Sequence, residues 1–130
     1  MSDARTDVKN RIETIEQSYE FFLAYAAQGL STDQGAKVGS QLRDFLRKME
    51  RALDGLRDAV HQALSNGGGA AGSDWSEMLE VLDADARATL AAIRLVSARE
   101  GVSSQLIDNL NANIHLRALL TDLFLVDDLI

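Results

Sequence analysis

Apolar residues recur along this chain at alternating spacings of three and four, the repeat of an amphipathic α-helix. The first seam predicts a helix that begins near Ser2 or Asp3 and ends at Gly29, where Leu30 folds back onto Tyr25. Its members are Val8, Ile12, Ile15, Tyr19, Phe22 and Ala26. The beginning of the chain is therefore predicted to form one helix with a single apolar face.

A second helix is expected to start at once and to run antiparallel to the first, because Ser31 and Gln34 have the spacing of a capping box. Its seam comprises Val38, Leu42, Phe45, Met49, Ala52, Leu56, Ala59 and Ala63. Gly35 and Gly39 weaken its first turns. We interpret both glycines as allowing close approach of a neighbouring backbone, with fraying of the helix end as the alternative.

The middle of the chain divides it into two helical hairpins, 1–65 and 74–130. Residues 66–73 include four glycines, whose conformational freedom predicts a flexible connector. Asp74 and Glu77 then mark the start of a third helix. Its seam is Trp75, Met78 or Leu79, Leu82, Ala86, Leu90, Ile93 and Val96.

The third helix is expected to end at Gly101, and the last helix to reach the C-terminus. Val102, Ser103 and Ile107 have the spacing of a hydrophobic staple with Ser103 as the N-cap. Four helices with two tight turns and one longer loop predict an all-α, antiparallel four-helix bundle in up-down-up-down order. The whole chain, 1–130, is predicted to form a single domain, and the longer loop would also permit exchange of hairpins between two chains.

The predicted fourth helix has two apolar faces on opposite sides, whereas a helix of one bundle buries a single face. The face expected to point into the core contains Leu106, Ile107, Leu110, Ile114, Ala118, Phe124 and Leu125. The face expected to point outward contains Ala112, Leu116, Leu119, Leu123, Val126 and Ile130. We expect the outward face to bind a second copy of the chain, and a wider intrachain core with a tilted helix is the alternative.

An aromatic pair on the first helix adds to this surface. Phe21 and Tyr25 lie one turn apart and well away from the apolar seam, and aromatic side chains with a polar end are favoured at interfaces. The predicted partner-binding residues are Phe21, Tyr25, Leu116, Leu119, Leu123, Val126 and Ile130.

Charge and composition narrow the classes of partner and compartment. The 13 basic and 20 acidic residues give a net charge of −7, which disfavours nucleic acid and anionic membranes as partners. No apolar stretch is long and uninterrupted enough to span a bilayer. The chain has no cysteine, which excludes disulfides but is neutral about compartment. Its start lacks the regions of a signal peptide, so we expect a cytoplasmic protein.

The two histidines offer the chain's candidate metal chemistry. Asp58 and His61 have the i, i+3 spacing of the acid–histidine motif of di-iron bundles, but the acid is shorter than glutamate. No acid stands three residues before His115. A ferritin-like bundle that holds a metal or small ligand through Asp58, His61 and His115 is therefore an alternative, and surface or capping histidines are the favoured interpretation.

Three asparagines alternate near the start of the last helix, at positions 109, 111 and 113. Asparagine is a weak helix former because its amide competes for backbone hydrogen bonds. The alternate spacing spreads these side chains over more than one face, so we interpret them as solvated. Asn113, nearest the face expected to point inward, is the candidate buried polar residue.

The sequence favours a non-enzymatic accessory, adaptor or assembly protein that forms a homodimer and binds another protein. The reason is surplus apolar surface without a catalytic constellation, and we predict no catalytic, metal-binding or cofactor-binding residue. A small all-α enzyme that acts on an anionic metabolite is a further alternative. It would require Arg11, Arg43, Arg47 or Arg94 to converge inward.

Overall fold

The computed structural model describes residues 3–66 and 73–130, and this part of the chain contains six helices and no strand. The helices are α1 (Asp3–Ala26), α2 (Lys37–Leu53), α3 (Leu56–Asn66), α4 (Ser73–Ser97), α5 (Ser104–Asn111) and α6 (Ile114–Leu129). The all-α class is therefore confirmed, but two of the four predicted helices are each broken in two. Residues 67–72 of the predicted linker, and Ser2, one of the two predicted start positions of the first helix, lie outside the described residues.

The second predicted helix breaks at Asp54 and Gly55, between α2 and α3. Asp54 leaves the helical conformation, with φ −68° and ψ 118°, and Gly55 has a left-handed φ of 72° that favours glycine. Nη1 of Arg11 donates hydrogen bonds to the carbonyls of Ala52 at 3.2 Å and Asp54 at 2.6 Å. An arginine of α1 therefore caps the C-terminus of α2, where a positive charge is stabilising.

The last predicted helix breaks between α5 and α6. Asn113 has an extended conformation, with φ −60° and ψ 128°. Its Oδ1 accepts hydrogen bonds from the backbone N–H groups of His115 at 2.9 Å and Leu116 at 3.4 Å. Asn113 is thus the N-cap of α6.

This break rotates α6 relative to α5. Ile107 of α5 and Leu116 of α6 are both fully buried. On one continuous helix they would lie about 180° apart, at about 100° per residue. The interruption therefore shifts the apolar pattern by about half a turn, and α6 buries the face that was expected to point outward.

The two longest helices connect the others. α1 and α4 each pack on all four shorter helices, and apolar side chains between them form the core. The predicted seam of α1 is confirmed at Val8, Ile12, Ile15 and Phe22, which are buried. Within the described ranges, no helix combines the length and apolar character that a membrane crossing requires.

A buried ion pair connects the loop after α1 with the loop after α4. Asp33 accepts hydrogen bonds from the backbone N–H of Val102 at 2.7 Å and from Nε of Arg43 at 2.8 Å. Arg43 also donates to the carbonyls of Ser97 and Arg99 at the end of α4, both at 2.9 Å. Burial by itself would raise the pKa of Asp33, but the hydrogen bonds from Arg43 and Val102 hold it below its ordinary value. We call Asp33, Arg43 and Val102 the loop clasp.

The start of α5 reinforces the loop clasp. The Ser104 hydroxyl donates to the carbonyl of Tyr25 at 2.7 Å and accepts from the backbone N–H of Leu30 at 2.9 Å. The backbone N–H of Ser104 donates to the carbonyl of Leu30 at 2.9 Å. Residues far apart in sequence therefore satisfy the polar groups that both loops bury.

The capping box predicted for the second helix is wrong. α2 begins at Lys37 rather than directly after Ser31, and its N-cap, Ala36, makes no side-chain capping hydrogen bond. The amide of Gln34 donates instead to the carbonyl of Glu100 at 3.0 Å. The intervening residues form a loop, and this loop places Asp33 in the loop clasp.

The two glycines near the start of α2 have different roles. Gly39 lies so close to the loop that an added Cβ would overlap the carbonyl of Asp33. Gly35 has a φ of 80° and no atom near the position of a Cβ. The close-approach interpretation is therefore confirmed for Gly39, and it is wrong for Gly35, which forms a turn.

Candidate functional site

The partner-binding surface predicted on the last helix lies inside the molecule. Four of its residues have no exposed surface and the fifth packs against the core: Leu116, Leu119, Leu123, Val126 and Ile130. The expectation that this stripe points outward is wrong because α6 is rotated at Asn113. These side chains would have to leave the core to contact a partner.

The two aromatic residues of the predicted surface are also engaged within the chain. The ring of Phe21 stacks on that of Phe45 with centroids 4.6 Å apart, and Phe21 is half-buried. Tyr25 is fully buried, and its hydroxyl donates to the carbonyl of Val102 at 2.7 Å. The expectation that this pair is available to a partner is therefore wrong for Tyr25, and Phe21 already packs on α2.

α6 exposes the apolar face that was expected to point into the core. Ile114 is 71% exposed, Leu129 is 66% exposed, and Phe124 and Leu125 are each 57% exposed. Several large apolar side chains exposed along one side of a helix are typical of an interaction surface, unlike apolar residues scattered singly. The polar residues Arg117, Thr121 and Asp128 are interspersed among them. We call the following residues the outer face of α6: Ile114, Ala118, Thr121, Phe124, Leu125 and Leu129.

A groove runs along one side of the outer face, between α1 and α6. It has a volume of about 500 Å³ and is lined by Tyr19, Ile114, Arg117, Ala118, Leu120, Thr121 and Phe124. Further along the same two helices, Nζ of Lys9 lies 2.6 Å from Oδ1 of Asp127. The two helices are therefore antiparallel along the groove, which we call the α1–α6 groove.

A smaller groove lies on the other side of the outer face, between the beginning of α4 and the end of α6. Its volume is about 220 Å³, and it is lined by Asp74, Trp75, Met78, Leu125, Val126 and Leu129. Apolar side chains dominate this lining. Residues of the outer face thus line both grooves, and grooves offer a partner more contact than a flat surface.

Acidic residues lie near Tyr19, the residue through which α1 lines the α1–α6 groove. Glu16 and Glu20 flank Tyr19 along α1, and Glu13 lies about one turn before Glu16. Burial raises the pKa of Glu16, and the negative charges of Asp127, Glu20 and Glu13 raise it further. Like charges are therefore crowded around Glu16.

A pair of carboxyl groups, Asp85 and Asp122, lies between α4 and α6. Oδ2 of Asp122 is buried without a hydrogen-bond partner in the described chain. Nδ1 of His115 is 3.7 Å from Oδ1 of Asp85. Burial, followed by hydrogen bonding with Asp85 and the negative charge of Asp85, raises the pKa of Asp122 to about 7. The pair therefore holds a proton near neutral pH.

We expect Asp122→Asn to flatten the dependence of stability on pH. Because the pKa of Asp122 is higher in the folded than in the unfolded chain, the wild type loses stability as the pH rises from about 4 through about 7. The variant should be more stable than the wild type by about 1 to 2 kcal/mol at about pH 8, and nearly equal to it at about pH 4. Urea unfolding at both pH values measures the difference, and a variant that is less stable at the higher pH would contradict the assignment.

The alternative metal ligands are dispersed. Asp58 pairs with Arg57, and His61 is exposed on α3. His115 lies on α6 beside Asp85. In residues 3–66 and 73–130, no group of three or more histidine, aspartate and glutamate side chains is close enough to hold a metal ion.

The four arginines considered for an anionic substrate make separate structural contacts. Arg11 caps the end of α2, and Arg43 binds Asp33 and the end of α4. Arg47 and Arg94 each pair with a different acidic residue of α2. These four side chains therefore do not converge on one site, as the enzyme alternative would require.

The polar residues inside the fold differ from those expected. Asn111 is buried, and neither polar atom of its side chain has a hydrogen-bond partner within the described chain. Asn113, the candidate buried residue, is instead half-buried as an N-cap.

Asp85 and Asp122 were not identified from the sequence. Asp122 lies at the edge of the buried seam of α6, so it would stand out once that seam is known to point inward.

No protein-family model, no curated protein and no solved structure matches this chain.

Proposed function

We propose that this chain is a non-enzymatic accessory or adaptor protein that acts by binding another protein through the outer face of α6. The observation that carries the proposal is a second apolar face on a helix whose first face is already buried. Leu123 and Val126 lie in the core, whereas Leu125 and Leu129 are exposed on the same helix. Leaving such a stripe in water is unfavourable, and covering it with a partner stabilises a complex.

The shape of the surface supports this proposal. The residues of the outer face line two largely apolar grooves, and aromatic residues line both of them, with Tyr19 and Phe124 in one and Trp75 in the other. Aromatic side chains and methionine are enriched in the buried centres of interfaces. Trp and Tyr are also common among the residues that dominate binding energy.

The finer architecture is part of the proposal. We propose that α2–α3 and α5–α6 are two interrupted rods that complete a four-rod, up-down-up-down bundle with α1 and α4, because each long helix packs on both of them. Homodimerisation and a cytoplasmic location remain predictions from the sequence. If the chain pairs with itself through its C-terminal helix, the outer face of α6 is the surface available for the contact.

Site-specific photocrosslinking in cells tests the proposed function. We expect a photoreactive phenylalanine analogue at Leu125 to form an adduct with a different protein, because this side chain is exposed on the outer face of α6. The control places the same analogue at Gln41, an exposed residue of α2. Equal adducts from both positions, or none from Leu125, would overturn the proposal. Adducts between two copies alone would assign the face to a homodimer and overturn the adaptor function.

A further inference from the structure

We infer that the α1–α6 groove receives an amphipathic helix of a partner protein, which carries lysine or arginine residues along the edge that faces α1. This inference rests on the proposed function and adds the chemistry of the partner. Its basis is the combination of an apolar floor, a helix-sized length and an acidic edge on one side alone.

The length and floor of the groove suit a helix. Its α6 wall runs from Ile114 to Phe124, which is about 15 Å, or about three helical turns. The floor has small side chains at its centre, Ala118 and Thr121, and large ones at both ends. An incoming helix can therefore place apolar residues over the centre while Ile114 and Phe124 contact its flanks. Helices bind such grooves through residues at i, i+3, i+4 and i+7.

The charges on the two walls differ. On α1, Glu16 and Glu20 lie close in sequence to the groove residue Tyr19. The charge of Asp127 on α6 acts on Glu16, which indicates that Glu16 lies on the side of α1 toward α6. The α6 wall carries Arg117. Crowding of like charge around Glu16 would be relieved by a lysine or arginine placed against this side of α1. The asymmetry also sets the orientation of the bound helix, with its basic edge toward α1 and its neutral or acidic edge toward Arg117.

The α6 helix of a second copy is less complementary to the groove than a basic helix. Helix α6 carries Asp122, Asp127 and Asp128 but a single arginine, Arg117. The net charge of the chain is −7. Docking the α6 of one copy against the glutamate edge of another would therefore bring like charges together. A basic helix would be attracted to the same edge and correctly oriented by it.

The test titrates the full-length, isotope-labelled chain with two synthetic peptides of about 18 residues, or about five helical turns. Both peptides carry leucine at helical spacing, and they differ in having lysine or glutamate along one flank. We expect the lysine peptide to shift the amide resonances of Tyr19, Ala118 and Thr121 saturably. The glutamate peptide should leave these resonances unchanged. Added salt should weaken the binding of the lysine peptide, because salt screens exposed charges.

Two matched double variants separate the local charge of the groove from the overall charge. The double variant Glu16→Gln, Glu20→Gln should lower the affinity for the lysine peptide by about tenfold or more, because in the proposed complex both charges face its basic edge. Glu80→Gln with Asp108→Asn removes two charges at exposed positions of α4 and α5. This control should change the affinity by less than about twofold.

Three outcomes would overturn the inference. Equal binding of the two peptides, or an equal loss of affinity in the two double variants, would show that the local charge does not select the partner. That result would not contradict the proposed protein-binding function. Binding that shifts residues outside the α1–α6 groove would show that the location is wrong. Concentration-dependent shifts of Tyr19 and Ala118 without peptide would show that a second copy occupies the groove.

Discussion

Replacement of Asp33 by alanine is expected to lower the free energy of unfolding by about 3 to 5 kcal/mol. The carboxylate is buried, and it accepts hydrogen bonds from Nε of Arg43 and from the backbone N–H of Val102. Its removal leaves both donors without their acceptor inside the protein, and unsatisfied buried donors are costly. Urea unfolding followed by far-UV circular dichroism measures the loss.

Asp44→Ala is the matched control for Asp33→Ala. Asp44 also pairs with an arginine, Arg47, but both side chains are more than half exposed, so we expect a change within about 0.5 kcal/mol.

The pKa of Asp33 is lowered on folding. The contribution of Asp33 is therefore present above the unfolded pKa, near about 4, and is lost as the pH falls through the lower folded value. Equal losses for Asp33→Ala and Asp44→Ala would contradict a role for the loop clasp.

Leu123→Ala is expected to cost about 3 kcal/mol or more, whereas Leu125→Ala should change stability by less than about 0.5 kcal/mol. The two leucines are two positions apart on α6, but Leu123 has no exposed surface and Leu125 is 57% exposed. The first substitution leaves a cavity in the core, and the second shortens a side chain that is largely in water. Urea unfolding of the two variants measures which face of α6 is inside.

A larger cost for Leu125→Ala than for Leu123→Ala would contradict the rotation of α6 described by the structure. The same rotation changes the expected effect of charges on the predicted outward stripe. Leu119→Glu with Leu123→Glu should unfold the protein rather than separate a folded dimer, because both positions are fully buried. Light scattering with circular dichroism distinguishes the two results, since a folded monomeric variant would place the stripe outside.

The sequence predicts that the last helix has an exposed apolar surface, but not which residues form it. The sequence shows that the last helix has more apolar surface than one core contact requires. It also suggests that the helix continues through Asn113, and under that assumption Leu116 and Ile107 lie on opposite faces. The cap at Asn113 reverses the assignment, so the exposed residues include Ile114 and Phe124 instead of Leu116 and Val126.

Two features that depend on neighbouring residues were determined by the sequence alone. Ser103 is the N-cap of α5 and accepts a hydrogen bond from the backbone N–H of Leu106 at 3.1 Å. Gly29 has the left-handed φ, 66°, expected after the first helix. In both cases the decisive groups are a few residues apart, so the signal is contained in a short segment.

Features that depend on distant contacts were decided by the tertiary structure. Arg11 of α1 caps the end of α2, and Asp33 binds Val102 across the two loops. Apolar periodicity determines which residues share a face within one helix, but it contains no information about the rotation between two helices joined by a break. That rotation depends on how the whole core packs, and it placed Leu123 inside the molecule and Leu125 on its surface.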